Sequence, residues 1–160
     1  MAWQQMTEKL RLHCSRVAPE WVDYNGHMSE AYYVLIFGHA TDAFYDHIGL
    51  DAAHRVATGT SIYTVEAHIN YIAEAHEGED LLIETQLLGN DAKRMILYHS
   101  MLRASDSALL AATELMMLHV DKKKMKSSAF PPDALARMAA CCSLDQPAYA
   151  GRRIALPVRT

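Results

Sequence analysis

The sequence predicts an α+β protein in which one antiparallel sheet curls around one long helix. Two observations carry this. Tyr33, Phe37, Ala40, Phe44 and Ile48 recur at helical spacing, with Ile36 beside them, and mark a helix with a continuous aromatic-rich face. From residue 60 the apolar period changes to two, and four segments separated by turn residues follow; the last, Leu109–Val120, alternates too weakly to separate strand from helix, and the hairpin context decides for strand. An apolar helix stripe and an apolar sheet face each need a cover, and the simplest arrangement is that each covers the other.

The elements follow in order. Residues 11–17 alternate loosely and predict a first strand. Pro19 ends it, because proline has no N–H to give to a ladder. Asn25–Gly26 marks a turn inside the loop Pro19–Met28. Ser29 suits the N-cap of the long helix, which runs from about Glu30 to His47 and stops at Gly49. Gly38 falls mid-helix, at a cost of about 1 kcal/mol relative to alanine, so close approach of the helix to a sheet is its expected use. Tyr63, Val65, Ala67, Ile69 and Tyr71 alternate with Thr64, Glu66, His68 and Asn70, the pattern of a half-buried strand. Tyr33, Tyr63 and Tyr71 fall on the apolar side of these patterns and are expected in the core. After a turn at Glu77–Asp80 come strands at Leu81–Leu88, Arg94–Arg103 and Leu109–Val120, with turns at Gly89–Asn90–Asp91 and Ser105–Ser107 between them. Pro131–Pro132 opens a last helix, Asp133 to about Cys142, and residues 143–160 read as an irregular tail. No internal repeat divides the chain, and its 160 residues are read as one domain, 1–160.

Composition narrows the function. Apolar residues make up 51% and charged residues 21%, a globular balance that argues against disorder. Mean hydropathy is -0.08, and no apolar run approaches the ~18 residues of a membrane span. The start lacks the apolar core of a secretory signal. A net charge of -4 does not favour nucleic acid. Cys14, Cys141 and Cys142 are odd in number and two are adjacent, which suits a reducing cytoplasm better than a disulfide framework. There is no G-x-S-x-G, G-x-G-x-x-G or Walker sequence. The nine histidines include no H-E-x-x-H, and no C-x-x-C is present, so structural histidines rather than a metal site are expected.

The stretch Trp21-Val22-Asp23-Tyr24-Asn25-Gly26-His27-Met28-Ser29 carries the most chemistry. It sets a carboxylate, an amide and an imidazole in one glycine-containing loop directly before a long helix. A helix start presents unpaired N–H groups and a partial positive charge, which could polarise a carbonyl and hold an oxyanion. Asp23 stands near enough in sequence to serve as base or nucleophile beside them. The alternative is that Asp23, Asn25 and Ser29 make only turn and capping hydrogen bonds.

Asp23-Tyr24-Asn25-Gly26-His27-Met28, followed by Tyr32–Tyr33, resembles the D-x-N-G-H-[VM]-N-N-x-x-Y pattern of hotdog-fold acyl-CoA thioesterases of the 4-hydroxybenzoyl-CoA thioesterase class. Val65-Glu66-Ala67-His68-Ile69-Asn70-Tyr71, then His119-Val120-Asp121-Lys122-Lys123-Lys124 and Pro131-Pro132, extend the resemblance over most of the chain. It implies a hotdog fold, a five-stranded antiparallel sheet around one long helix, in a homodimer or dimer of dimers whose sheets join and whose sites lie between protomers. It also implies Asp23 as the catalytic carboxylate, with backbone N–H donors near Ser29 and Glu30. Asn25 and His27 would shape the pocket or position water. The family often has Asn-Asn where this chain has Ser29-Glu30, so Glu30 adds a negative charge that suits a cationic acyl group.

Glu20 to Glu30, Phe37-Gly38-His39-Ala40-Thr41-Asp42-Ala43 and Tyr63-Thr64-Val65-Glu66-Ala67-His68 are similar to the thioesterase domains associated with carnitine dehydrogenases. That subgroup implies hydrolysis of betainyl-CoA to glycine betaine and CoA in carnitine breakdown. A general short-chain or aromatic acyl-CoA thioesterase and a non-catalytic acyl-CoA-binding hotdog protein are the alternatives. A quaternary ammonium is recognised by aromatic faces, for which Trp21, Tyr24 and Tyr32 are the cage candidates. Glu66, His68 and Asn70 share one strand face, toward a pocket at a dimer interface or toward solvent; in the pocket, Glu66 and His68 would bind substrate and position water or assist Asp23. Asp42 is expected to face solvent or be hydrogen-bonded. No cofactor beyond the coenzyme A of the substrate is expected. Lys93–Arg94, Lys122–Lys124 with Lys126, and Arg152–Arg153 are the candidates for its phosphates.

Overall fold

The computed structural model describes residues 9–156. The chain runs β1 (Leu10–Arg16), α1 (Glu30–His47), α2 (Ala52–Thr58), β2 (Thr60–Tyr71), β3 (Asp80–Asn90), β4 (Arg94–Arg103), β5 (Leu109–Asp121), β6 (Lys126–Ser127) and α3 (Pro132–Cys141). The strands form one antiparallel sheet in the order β1-β3-β4-β5-β2, and the two residues of β6 add to β5. α1 lies in its concave face and buries Tyr33, Ile36, Phe37, Ala40, Thr41, Phe44 and Tyr45. This is the curled α+β arrangement of the hotdog fold.

The inner face divides into two apolar clusters with a polar row between them. One gathers Ile36, Phe37, Ala40, Ile83, Met101 and Ala111; the other gathers Phe44, Ile48, Leu87, Leu97, Leu115 and Met138. At the intervening inward positions stand Thr85 on β3, His99 on β4 and Thr113 on β5, all buried and in register with one another. Thr41 meets them from α1.

Several expectations are corrected. The segment after Gly49 forms α2, which buries no residue and so carries no apolar stripe to read. Its ends were legible: Asp51 accepts a hydrogen bond from the His54 amide, and Gly59 closes it at φ +72°. β3 continues through Gly89 and Asn90, with a bulge between Leu87 and Gly89. The turn comes later, where the Asp91 carboxylate accepts from the Lys93 and Arg94 amides. Gly38 does not contact the sheet, because a Cβ there would meet nothing within 4 Å. Tyr33 is buried as expected, but Tyr63 and Tyr71 are 48% and 46% exposed. A bulge between Thr64 and Glu66 leaves Ile62 and Thr64, not Tyr63, on the inward side, and Tyr71 ends β2, the sheet's edge strand.

Residues 143–156 of the tail form no helix or strand, and residues 157–160 lie outside the described residues. Ser143 donates its amide to Leu87 O at 2.7 Å, and Gly151 donates to the Glu114 carboxylate at 2.7 Å. The segment thereby runs over the outer, convex face of its own sheet. Among the described residues no helix is long and apolar enough to cross a membrane.

Candidate active site

The loop before α1 is closed on itself. Asp23 N donates to His27 O at 3.1 Å, Gly26 N donates to Asp23 O at 3.0 Å, and Val22 and Met28 form a bridge. Gly26 adopts φ +82°, a conformation that favours glycine at the tip. One Asp23 oxygen accepts from Asn25 N at 2.8 Å, the turn contact foreseen for it. Among the described residues the other Asp23 oxygen accepts no hydrogen bond.

Three sets of contacts tie this loop, the start of α1 and the β2–β3 connection together. Met28, 1% exposed, anchors it and donates its amide to Ala75 O at 2.7 Å. Ser29 donates its amide to Trp21 O at 3.0 Å. The Tyr33 hydroxyl donates to Ala73 O at 3.4 Å and accepts from Ala75 N at 3.1 Å. The helix start, the loop and the β2–β3 connection are therefore one rigid corner.

A cleft of about 260 Å³ opens at that corner, lined among others by His27, Glu30, Tyr33, Tyr71 and Glu74. Ser29 occupies the N-cap position but makes no capping hydrogen bond, and its own amide is committed to Trp21. Of the two backbone donors expected, the Glu30 N–H is the available one. The Ala31 N–H joins it, since neither has an acceptor among the described residues. Burial pushes both tyrosine hydroxyls above their usual range. The carboxylates of Glu74 and Glu79 add to this at Tyr33, against the opposing hydrogen bond from Ala75, and Glu30 adds to it at Tyr71.

The other expected site residues are placed as follows. Tyr24 is 97% exposed at the loop tip, and Asn25 is exposed beside it. Trp21 and Tyr32 stack on each other, with ring centroids 5.3 Å apart and planes at 16°, so each covers a face of the other. Glu66 and His68 do not join this corner. They line a shallow depression on the outer face with Glu114 and Arg152, because Ala67 and Ile69 take the inward positions of β2. Asp42 is exposed, in a groove of about 600 Å³ between α1 and β2. Tyr71 and Glu74 were missed as site residues: Tyr71 reads as core, and nothing local distinguishes Glu74 from its acidic neighbours.

The Thioesterase-like superfamily profile matches residues 17–138, which include the loop, α1 and the whole sheet except β1. The chain belongs to this superfamily. Its relatives include a betainyl-CoA thioesterase of Pseudomonas aeruginosa, 42% identical over 95% of this chain and 98% of that one. An L-carnitine dehydrogenase/betainyl-CoA thioesterase of Agrobacterium fabrum is 51% identical over 77% of this chain, which spans 25% of that longer protein. Among solved structures, a Staphylococcus aureus protein in complex with CoA superposes with a TM-score of 0.86 at 28% identity, covering 93% of this chain and 97% of that one. A candidate thioesterase from Pseudomonas putida KT2440 superposes with a TM-score of 0.82 at 42% identity, covering 94% and 98%. For a thioesterase the corner offers two complementary parts. The free amides at the helix start can meet a developing oxyanion, and a half-buried carboxylate lies a few residues before them in the same closed loop.

Proposed function

We propose that this protein hydrolyses betainyl-CoA to glycine betaine and coenzyme A. The observation that carries this reading is the end-to-end match to a betainyl-CoA thioesterase, 42% identical over 95% of the chain. In this reading the thioester carbonyl lies at the start of α1, where the Glu30 and Ala31 amides take its oxygen as negative charge develops. Asp23 either attacks the carbonyl carbon or takes a proton from the water that does so. The carbon–sulfur bond then breaks and coenzyme A leaves as its thiol, taking up a proton; where Asp23 has attacked, water then cleaves the acyl–aspartate anhydride to release the acid and restore the carboxylate. Asn25 and His27 hold the loop and water around Asp23. Glu66 and His68 are left out, since the sheet separates them from the corner in their own chain.

Coenzyme A enters as part of the substrate, with no further cofactor, and the protein works in the cytoplasm. The acting unit is a homodimer joined through β2. That edge strand exposes Tyr63 to Ala67 without interruption, and Val34 and Leu35 of α1 are exposed beside it. An exposed apolar edge strand of this kind needs a covering partner.

The test is thiol release from betainyl-CoA, its uncharged isostere 3,3-dimethylbutyryl-CoA, and benzoyl-CoA, by wild type and D23N. Fast release from betainyl-CoA alone, lost in D23N, is the expected result. Equal release from all three overturns the substrate, and full activity of D23N overturns the role of the carboxylate.

A further inference from the structure

The cleft at the helix start has an unusual electrostatic make-up. Two tyrosine rings, Tyr33 and Tyr71, meet edge to face at 5.3 Å with planes at 90°, making an aromatic corner. Two glutamates border it, Glu30 from the first turn of α1 and Glu74 from the β2–β3 connection. None of the lining residues is lysine or arginine. Arg103 comes near, but it donates to the backbone carbonyl of Glu74, and its charge is paired with Glu79 and Asp106. The Glu74 carboxylate, 62% exposed, stands 3.6 Å from His27 Nε2 and 3.9 Å from His76 Nε2. Both distances exceed hydrogen-bond reach, and among the described residues that carboxylate accepts no hydrogen bond.

Carboxylates without donors, beside the half-exposed ring of Tyr71 with buried Tyr33 as the wall behind it, suit one kind of ligand group. A quaternary ammonium has no N–H to donate, and its charge is spread over methyl groups that pack on aromatic faces. It gains from carboxylates through the field rather than through hydrogen bonds. The geometry also fits the length of the acyl group. In betainyl-CoA a single methylene separates the ammonium from the thioester carbonyl, so the cation has to lie beside the oxyanion donors. Glu30 meets that need directly, since its amide is one of those donors and its side chain borders the cleft.

We propose that Tyr33, Tyr71, Glu30 and Glu74 form the subsite for the quaternary ammonium of the acyl group, and that Glu74 sets the preference for positive charge. This rests on the proposed reading of the corner as the thioesterase site. It moves the cation from Trp21, Tyr24 and Tyr32 to the inner side of the helix start.

Two measurements test it on the full-length protein. The first is kcat/KM for betainyl-CoA and 3,3-dimethylbutyryl-CoA in wild type, E74Q, Y71L and E77Q, the last altering an exposed glutamate outside the cleft. E74Q and Y71L are expected to lower the betainyl-CoA value about tenfold while holding the isostere within about twofold, and E77Q to change neither. An equal loss on both substrates in E74Q would mean that Glu74 only orients His27, and would overturn the proposal. The second is calorimetric titration with tetramethylammonium, which needs no catalysis. Binding that weakens in E74Q supports the subsite even if betainyl-CoA is not hydrolysed. Binding that is absent in wild type, or indifferent to E74Q, overturns the subsite while leaving a thioesterase intact.

Discussion

Nε2 of His99 stands 2.9 Å from Oγ1 of Thr41, in the buried row between the two apolar clusters. The Thr41 hydroxyl donates to Phe37 O at 2.9 Å, so toward His99 it can only accept. His99 is therefore the neutral tautomer with its proton on Nε2, and its bare Nδ1 accepts from Thr85 Oγ1 at 2.9 Å. The ring also lies nearly parallel to Phe37, at 15°. T41V keeps the shape but strands a buried N–H, which costs about 1–3 kcal/mol. We expect thermal or urea unfolding of T41V to show that loss, with no change in the wild-type far-UV spectrum.

The same imidazole makes the fold acid-sensitive. Burial, helped by nearby His13, pushes His99 down to about 3. The unfolded chain takes up the proton near an ordinary imidazole pKa of about 6.5, and the folded chain refuses it until near 3. Stability is therefore complete above that upper value and falls with pH through the window below it, by about 1.4 kcal/mol per unit at most. Urea midpoints measured from pH 7 to pH 4 should fall in wild type and flatten in H99N. Glu84 contributes at lower pH. Burial alone would raise it, but Arg11 at 2.9 Å and Lys9 at 3.1 Å outweigh burial and lower it. Its stabilisation is present above the usual carboxylate range and is lost as pH falls through its depressed folded value.

The amides at the helix start can be tested without altering the helix. Ser29 has φ -63° and ψ 146°, the extended conformation that a following proline requires. Glu30 is the first helical residue, where proline is well tolerated. E30P therefore removes one oxyanion donor, and E30A separates that loss from loss of the carboxylate. We expect kcat to fall by about 10²–10³ in E30P relative to E30A, with equal melting temperatures.

The edge of β2 gives a prediction about assembly. Val65 is 54% exposed within the edge strand. By sedimentation velocity we expect wild type to run as the proposed dimer and V65D as a folded monomer. A charge on an edge strand blocks pairing without touching the core.

What could be read without coordinates followed from local repetition. The long helix's bounds came from one apolar repeat and a glycine stop, the second strand from clear alternation, and Leu109–Val120 from its hairpin context. That alternation also put Glu66 and His68 on one face of their strand. It could not say that this face is the outer one, away from Asp23. Tyr63 and Tyr71 were misread as core for a related reason. The bulge between Thr64 and Glu66 turns Tyr63 outward, and pairing with β5, 40 residues or more on, sets Tyr71 on the edge strand. His99 breaks the apolar pattern of β4 visibly, but its partner Thr41 is 58 residues away.

By itself, then, the sequence determined the long helix, the last helix, the five main strands, the loop before the long helix and the carboxylate it carries, since each depends on residues within a few turns of one another. Only the tertiary structure decided which helix-start amide is free and that Glu74 stands beside His27 and Tyr33. Only it showed that a satisfied imidazole bridges helix and sheet. The last two depend on residues 40 or more apart that the curl of the sheet around α1 brings together, and the first on how the loop folds Trp21 back onto Ser29, none of which leaves a repeating pattern to read.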